Sequence, residues 1–286
     1  MGMVITTAAT AYPAVEPHAA VGGTTTVALA GRAAHDCLTR AGLSPSAVGV
    51  LINVGVYRES NTFEPALAAM VQKEAGISLD YLADPAPAFS FDLMNGACGV
   101  LGAVQVGQAL LDTGSTERLL ITAADVHPSG DARRDPGYPY ADLAGAWLLE
   151  HGADPGSGFG PVRHYAPEGP VGTEGYLDTA RMGSGGRSLI TVRREPGHGA
   201  RRSALAATAV AGYAREFSLD LARTLVIGPP GPDAGEPQGE PHTAAPVLGY
   251  LQALDAGRPR DCDRLLFVSV GAGPSVVCAS YTPEGW

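Results

Sequence analysis

Cys98 is the residue whose setting most invites chemistry. It closes the segment Ala88-Phe-Ser-Phe-Asp-Leu-Met-Asn-Gly-Ala-Cys98, and a run rich in Gly, Ala and Val follows it to Leu111. Phe89 to Leu93 read as a short strand, Asn95-Gly96 as a tight turn, and the stretch opening at Cys98 as a small-residue helix. A sulfur at the mouth of a helix meets unpaired N–H groups and the positive end of the dipole. That environment lowers a thiol pKa and suits a nucleophile. Strand, glycine turn, nucleophile and helix form the same mechanical device as a nucleophile elbow, although Gly-x-Ser-x-Gly is absent. The competing reading is a small buried hydrophobe, the usual fate of a free cysteine.

Composition narrows the setting. The chain has 286 residues, net charge −10, and no basic cluster beyond pairs such as Arg133-Arg134, Arg193-Arg194 and Arg201-Arg202. Nucleic acid is therefore an unsuitable partner. Cys37, Cys98, Cys262 and Cys278 are scattered, without zinc-type or disulfide-framework spacing. A reducing cytoplasm fits, and neither an export signal nor a membrane span is expected.

The elements that must position Cys98 follow from periodicity. Met3 to Thr10 reads as a strand, and Thr24 to Ala41 as a helix stopped by Gly42. Val48 to Val56 is a nearly continuous apolar run, the pattern of a strand buried on both faces. A helix is expected over roughly Glu64 to Ala75, with Pro65 in its first turn. Another buried strand spans Arg118 to Ala124. This alternation favours a mainly parallel sheet covered by helices.

After the loop Asp131 to Asp142, a strand resumes at Leu143 to Leu149, with short strands near Val162 to Tyr165 and Ser188 to Arg193. A helix at Ser203 to Phe217 and a strand at Arg223 to Gly228 precede the Pro/Gly loop Pro229 to Pro241. The helix His242 to Ala256 and two strands joined by Gly271-Ala-Gly273 complete the chain. The second half repeats the order of the first. The expected units are residues 1–142, carrying the nucleophile, and 143–286.

Asn95-Gly-Ala-Cys98-Gly, the helix ending at Asp112-Thr-Gly114, the Arg118 to Ala124 strand with Asp125, and Val270-Gly-Ala-Gly273 resemble the β-ketoacyl-ACP synthase III branch of the thiolase superfamily. Asp142 to Leu149 is similar to that family's Gly/Ala-rich strand after the midpoint. Pro241-His-Thr-Ala-Ala245 is similar to its Asn-Thr-Ser-Ala-Ala helix start. The resemblance covers most of residues 45 to 281. It implies an α/β fold of the thiolase type, a duplicated α-β-α-β-α arrangement in five layers, and a homodimer. Carried over, Cys98 is the acyl-accepting nucleophile, and its N–H together with that of Gly273 forms an oxyanion hole.

The departures from the family pattern are more informative. Condensing members place a His and an Asn over the thioester while malonyl-ACP decarboxylates. Here the His position falls on Pro229, in Val226-Ile-Gly-Pro-Pro-Gly-Pro232, and the Asn position on Pro241. Proline supplies neither a side-chain donor nor an N–H. His242, next to the lost Asn, remains as a base for a thiol and then for a hydroxyl or amine. A carboxylate orienting that imidazole would complete a triad-like set, with Asp233, Glu236 and Glu240 in the preceding loop as candidates. His127 and His164, and Arg58, Asn61 and Glu64, read more simply as loop and cap residues.

The sequence therefore leads to an acyltransferase of specialised metabolism. It would load an acyl group from acyl carrier protein or CoA onto Cys98 and pass it to a hydroxyl or amine. No metal and no cofactor is expected beyond the donor's own phosphopantetheine or CoA. A decarboxylative synthase and a silent subunit paired with an active homologue are the alternatives. Arg133, Arg134, Arg201 and Arg202 are the candidates for a basic patch facing an acidic carrier.

Overall fold

The computed structural model describes residues 2–13, 24–61, 65–78, 82, 87–128, 137–177, 180, 190–229, 239–257 and 261–285. Helix α1 (Thr26–Ala41) follows strand β1 (Met3–Ala11). The Thr25 hydroxyl caps α1, and Gly42 ends it in the left-handed conformation with φ 65°. Strand β2 (Val50–Asn53), helix α2 (Leu67–Glu74) and strand β3 (Phe89–Asp92) come next. Asp92 accepts the N–H groups of Leu67 and Ala68 and so caps α2, which begins after Pro65 rather than at Glu64. Helix α3 (Gly99–Asp112) leads to strands β4 (Arg118–Asp125) and β5 (Leu143–His151).

The first sheet runs β1-β5-β4-β2-β3. Strands β2, β3 and β4 are parallel, whereas β5 is antiparallel to both β1 and β4, so the sheet is mixed rather than mainly parallel. Strand β5 lies beyond the expected division at 142/143 yet sits inside this first sheet. Strands β4 and β5 are neighbours in that sheet, so the division at 142/143 does not coincide with the division between the sheets.

Strands β6 (Gly158–Phe159) and β7 (Arg163–Tyr165) precede a hairpin of β8 (Thr173–Tyr176) and β9 (Thr191–Arg194). Helix α4 (His198–Glu216), strand β10 (Thr224–Ile227), helix α5 (Ala245–Asp255) and strands β11 (Arg264–Val270) and β12 (Val276–Thr282) complete the fold. The second sheet runs β10-β11-β12-β6, with β7 also paired to β12.

Alternation along the strands decides the layering. In β4, Leu119, Ile121 and Ala123 face a core shared with α3 and α5, while Leu120 and Ala124 face α1 and α2. In β11, Leu265 and Phe267 join that same central core, while Leu266, Val268 and Val270 pack with Tyr213 of α4. The layers are thus α1/α2, first sheet, α3/α5, second sheet and α4, the five-layer duplicated arrangement that the resemblance implied. Trp147 of β5 anchors the centre, fully buried against Phe159, Tyr250 and Phe267. Gly145 lets α5 approach β5, since a Cβ there would lie 2.8 Å from Val247 Cβ.

Candidate active site

The parallel strand ends and the openings of α3 and α5 converge on one open cleft. Gly96 and Ala97 form one wall, His242 and Pro241 another, and Gly271 a third. Pro229 also lines it, so both prolines at the positions the resemblance gave to donors border this space.

Asp125, at the end of β4, is the anchor. It is buried, and its carboxylate accepts five hydrogen bonds. Oδ1 takes the N–H groups of Val56 (2.9 Å) and Tyr57 (2.8 Å). Oδ2 takes His242 Nδ1 (2.9 Å), Thr243 N (3.2 Å) and the Thr243 hydroxyl (2.6 Å). Burial alone would raise the Asp125 pKa, but His242, Thr243 and the Tyr57 N–H together hold it below the usual carboxylate range. An ionised carboxylate can only accept, so the imidazole proton lies on Nδ1 and Nε2 is left as the base. Nε2 is 3.8 Å from where a Cβ on Gly96 would lie, which puts it at the turn that carries Cys98.

The chain pays locally for this placement. His242 has φ 40°, an unusual left-handed conformation for a side-chain-bearing residue, in the 3-10 turn 242–244 that opens α5. Tyr140 and Tyr57 clasp the ring at centroid distances of 4.1 and 5.3 Å. These neighbours fix the imidazole plane and restrict water around it.

Cys98 occupies the turn before α3, as the sequence predicted, but its environment is different. The residue is 1% exposed and its sulfur points to the Ser269 carbonyl at 3.7 Å. Burial pushes the thiol up to about 11, and contacts with Ser275 and the Val277 backbone only partly oppose this. The direction is opposite to the lowered thiol pKa expected at a helix end, because burial disfavours the thiolate. Gly271 roofs the sulfur, since a Cβ there would lie 3.4 Å from it.

Other expectations are also corrected. The Cys98 N–H donates to the Asn95 carbonyl at 3.0 Å and is engaged in the turn, so it is not an open oxyanion donor. Gly273 lines a neighbouring shallow hollow with Pro170 and Arg201, and Gly271 is the glycine beside the sulfur. Glu240 does not orient His242: its two oxygens go to Arg194 (3.0 Å) and Arg202 (2.7 Å). Arg202 is consequently held within the cleft wall and is no surface patch. Asp233, Glu236, Glu64, Arg133 and Arg134 lie outside the described residues. His127 is buried, with its backbone N–H on Asp142, and His164 bonds Gln105, both outside the cleft.

Asp125 is the residue that sequence reasoning passed over. It stands 117 positions from His242, far from the loop beside the imidazole. The available signal was a lone acidic residue ending an otherwise apolar buried strand. Among the described residues no cluster could hold a metal ion, and no helix is long and apolar enough to cross a membrane.

No family model matches the chain. The β-ketoacyl-[acyl-carrier-protein] synthase III of Cereibacter sphaeroides is 33% identical over 135 residues, which is 46% of this chain and 39% of that protein. The matched stretch thus spans well under half of that relative. The 3-oxoacyl-(acyl carrier protein) synthase III structure from Pseudomonas aeruginosa superposes with a TM-score of 0.74 at 17% identity, over 99% of both chains. The Thermus thermophilus enzyme of the same name gives 0.73 at 20% identity, over 99% of this chain and 100% of its own. The fold is that of the thiolase-like β-ketoacyl-ACP synthase III structures, as the Asn95-Gly96-Ala97-Cys98-Gly99 stretch implied.

Proposed function

We propose that this chain is an acyltransferase that moves an acyl group from an acyl-ACP or acyl-CoA thioester to the hydroxyl or amine of a small molecule, in specialised metabolism. The observation that carries this reading is the buried Asp125–His242 pair, with His242 lining the cleft and its Nε2 without a hydrogen bond among the described residues. The thiol of Cys98 attacks the donor carbonyl, its proton passes to His242, and the donor thiolate leaves carrying that proton. The acceptor O–H or N–H then gives its proton to His242 Nε2 as it attacks the Cys98 thioester, and the cysteine sulfur takes the proton back on leaving. The imidazolium formed midway is stabilised by the Asp125 carboxylate.

Decarboxylative condensation needs donors aimed at an enolate oxygen, and Pro229 and Pro241 supply no such donor. Release of carbon dioxide from malonyl-ACP, without transfer to any alcohol or amine, would contradict the proposal. The test is product analysis by mass spectrometry of acyl-CoA and acyl-ACP mixtures with a panel of alcohols and amines. Ester or amide should appear without malonyl donor, and none should appear with His242→Ala.

The burial of Cys98 favours a second reading. Its loading requires a rotamer change or movement of the Gly271 turn, because the sulfur is roofed and is not part of the cleft surface. In that reading His242 deprotonates the acceptor, which attacks the donor thioester directly, and Cys98 is structural. Cys98→Ala separates the two: transfer persists only in the direct route.

A homodimer is part of the proposal. Strand β3 is one of the two edges of the first sheet among the described residues, and Phe89 (61% exposed) and Met94 (56% exposed) lie on it and just beyond it. Unpaired N–H and C=O groups beside exposed apolar side chains suit pairing with a second copy. Placement of the chain in the cytoplasm accords with its scattered thiols.

A further inference from the structure

The wall of the cleft opposite Gly96 carries charge that the transfer chemistry does not use. Arg194, at the end of β9, and Arg202, in the second turn of α4, share the single carboxylate of Glu240. Among the described residues lining the cleft, two guanidiniums thus stand against one carboxylate. Arg194 Nε is buried and has no hydrogen-bond partner among those residues. A guanidinium donor without an acceptor is costly; this atom is closed to solvent, and Arg194 is among the residues that line the cleft. Helix α4 opens onto the same wall at His198, with no capping side chain and no acidic residue in its first turn. Its positive end therefore adds to the field of the arginines. The chain is acidic overall, so this local reversal is not a general property of its surface.

The geometry also fixes where an anion would sit relative to the reacting atoms. The Arg194 guanidinium lies over the Tyr140 ring at 5.5 Å, and the same ring packs against His242 at 4.1 Å. Arg194 is thus one aromatic ring away from the base. A donor's phosphate sits at the far end of the pantetheine arm from its sulfur, too remote to serve Arg194 while the thioester lies at His242. A carboxylate on the acceptor itself needs to pass only the Tyr140 ring to meet Arg194 while its O–H or N–H lies at His242.

We infer that the Arg194 wall binds the carboxylate of the acceptor, which is a short hydroxy acid or amino acid whose O–H or N–H is thereby presented to His242. The inference rests on the reading of His242 as the base that takes the acceptor's proton. Guanidinium and carboxylate pair through two parallel N–H···O bonds, which orients the acceptor as well as holding it. Arg194 is on this account a specificity-determining residue. Glu240 is a positioning residue that keeps the two guanidiniums turned toward the cleft when it is empty.

Binding without turnover tests this separately from the transfer reaction. Protein labelled with 15N in histidine would be titrated with 3-hydroxypropionate, 4-hydroxybutyrate and 6-hydroxyhexanoate, and with the methyl ester of each. The His242 ring resonances report occupancy. One acid of the series should bind about tenfold or more tighter than its own ester. Arg194→Gln should bring acid and ester to similar affinity, and Arg194→Lys, which keeps a charge in a folded wall, should restore part of the preference. Acids and esters binding alike in wild type would overturn the inference, as would a preference unchanged in Arg194→Gln. Inorganic phosphate displacing every acid equally, without dependence on chain length, would assign the wall to the donor and also overturn it. A protein that shows the preference yet transfers no acyl group would sink the proposed function while leaving this readout standing.

Discussion

Replacing Asp125 by Asn removes one charge and preserves shape, and the structure says what each hydrogen bond must do. The amide oxygen can keep the Val56 and Tyr57 N–H groups. Its NH2 then faces His242 Nδ1 and Thr243, both of which donate to the native carboxylate. The imidazole can answer by moving its proton to Nε2, so that Nδ1 accepts, and the Thr243 hydroxyl can rotate. The Thr243 N–H cannot adapt and is left facing a donor in a buried site, which costs about 1–3 kcal/mol. The tautomer change is the larger functional loss, because Nε2 then carries a proton and can no longer take one. In a serine-protease triad the corresponding wrong tautomer lowers kcat by about ten-thousandfold, and a fall of about a hundred- to ten-thousandfold is expected here. The assay is acyl transfer at saturating donor, with folded fraction checked by urea titration. Asp92→Asn is the control: Asp92 also accepts several bonds, from Leu67, Ala68 and Asn53, but outside the cleft. It should lose comparable stability and keep its transfer rate. Transfer by Asp125→Asn within twofold of the control would refute the base assignment.

Further outcomes follow from other parts of the molecule. Asp125 has a depressed folded pKa, so its contribution to stability is present above the unfolded value near 4 and is lost as pH falls through the lower folded value. Urea midpoints measured from pH 6 downward should therefore fall less steeply for Asp125→Asn than for wild type. Cys37 and Cys98 are both raised to about 11, so the unfolded chain releases their protons first and stability should decline as pH rises from about 9 toward 11. Trp147→Ala empties the central layer and should cost about 3–5 kcal/mol in chemical denaturation. If the proposed homodimer forms through β3, Phe89→Lys on that edge should leave a monomer by light scattering, with little change in monomer stability.

How much of this was legible beforehand depended on the range of the interaction. The apolar runs at Val48 to Val56 and Arg264 to Val270 are local signals: the first holds a shorter strand, Val50–Asn53, and the second formed over its whole length. The turn and helix around Cys98 were readable for the same reason, since Asn95-Gly96 and the small residues after it determine their own geometry. Strand β5 was recognised as a strand, but its partners were not, because pairing with β1 is set by residues about 140 positions away. The thiol's pKa was misjudged because helix position is visible in sequence while burial beneath Gly271 is a property of the assembled second sheet. Asp125 escaped for the same physical reason: His242 meets it only once the two halves pack.

The central claim is that His242, oriented by Asp125, releases an acyl group from Cys98 to a heteroatom. Intact-protein mass spectrometry in a pulse and chase tests it directly. After incubation with an acyl thioester and removal of the excess, the protein should carry one acyl mass, absent in Cys98→Ala. Addition of a hydroxy-acid acceptor should return wild type to its unloaded mass with matching ester formed, while loaded His242→Ala keeps its acyl group. No mass gain in wild type, or equal release from the His242→Ala protein, would contradict the account.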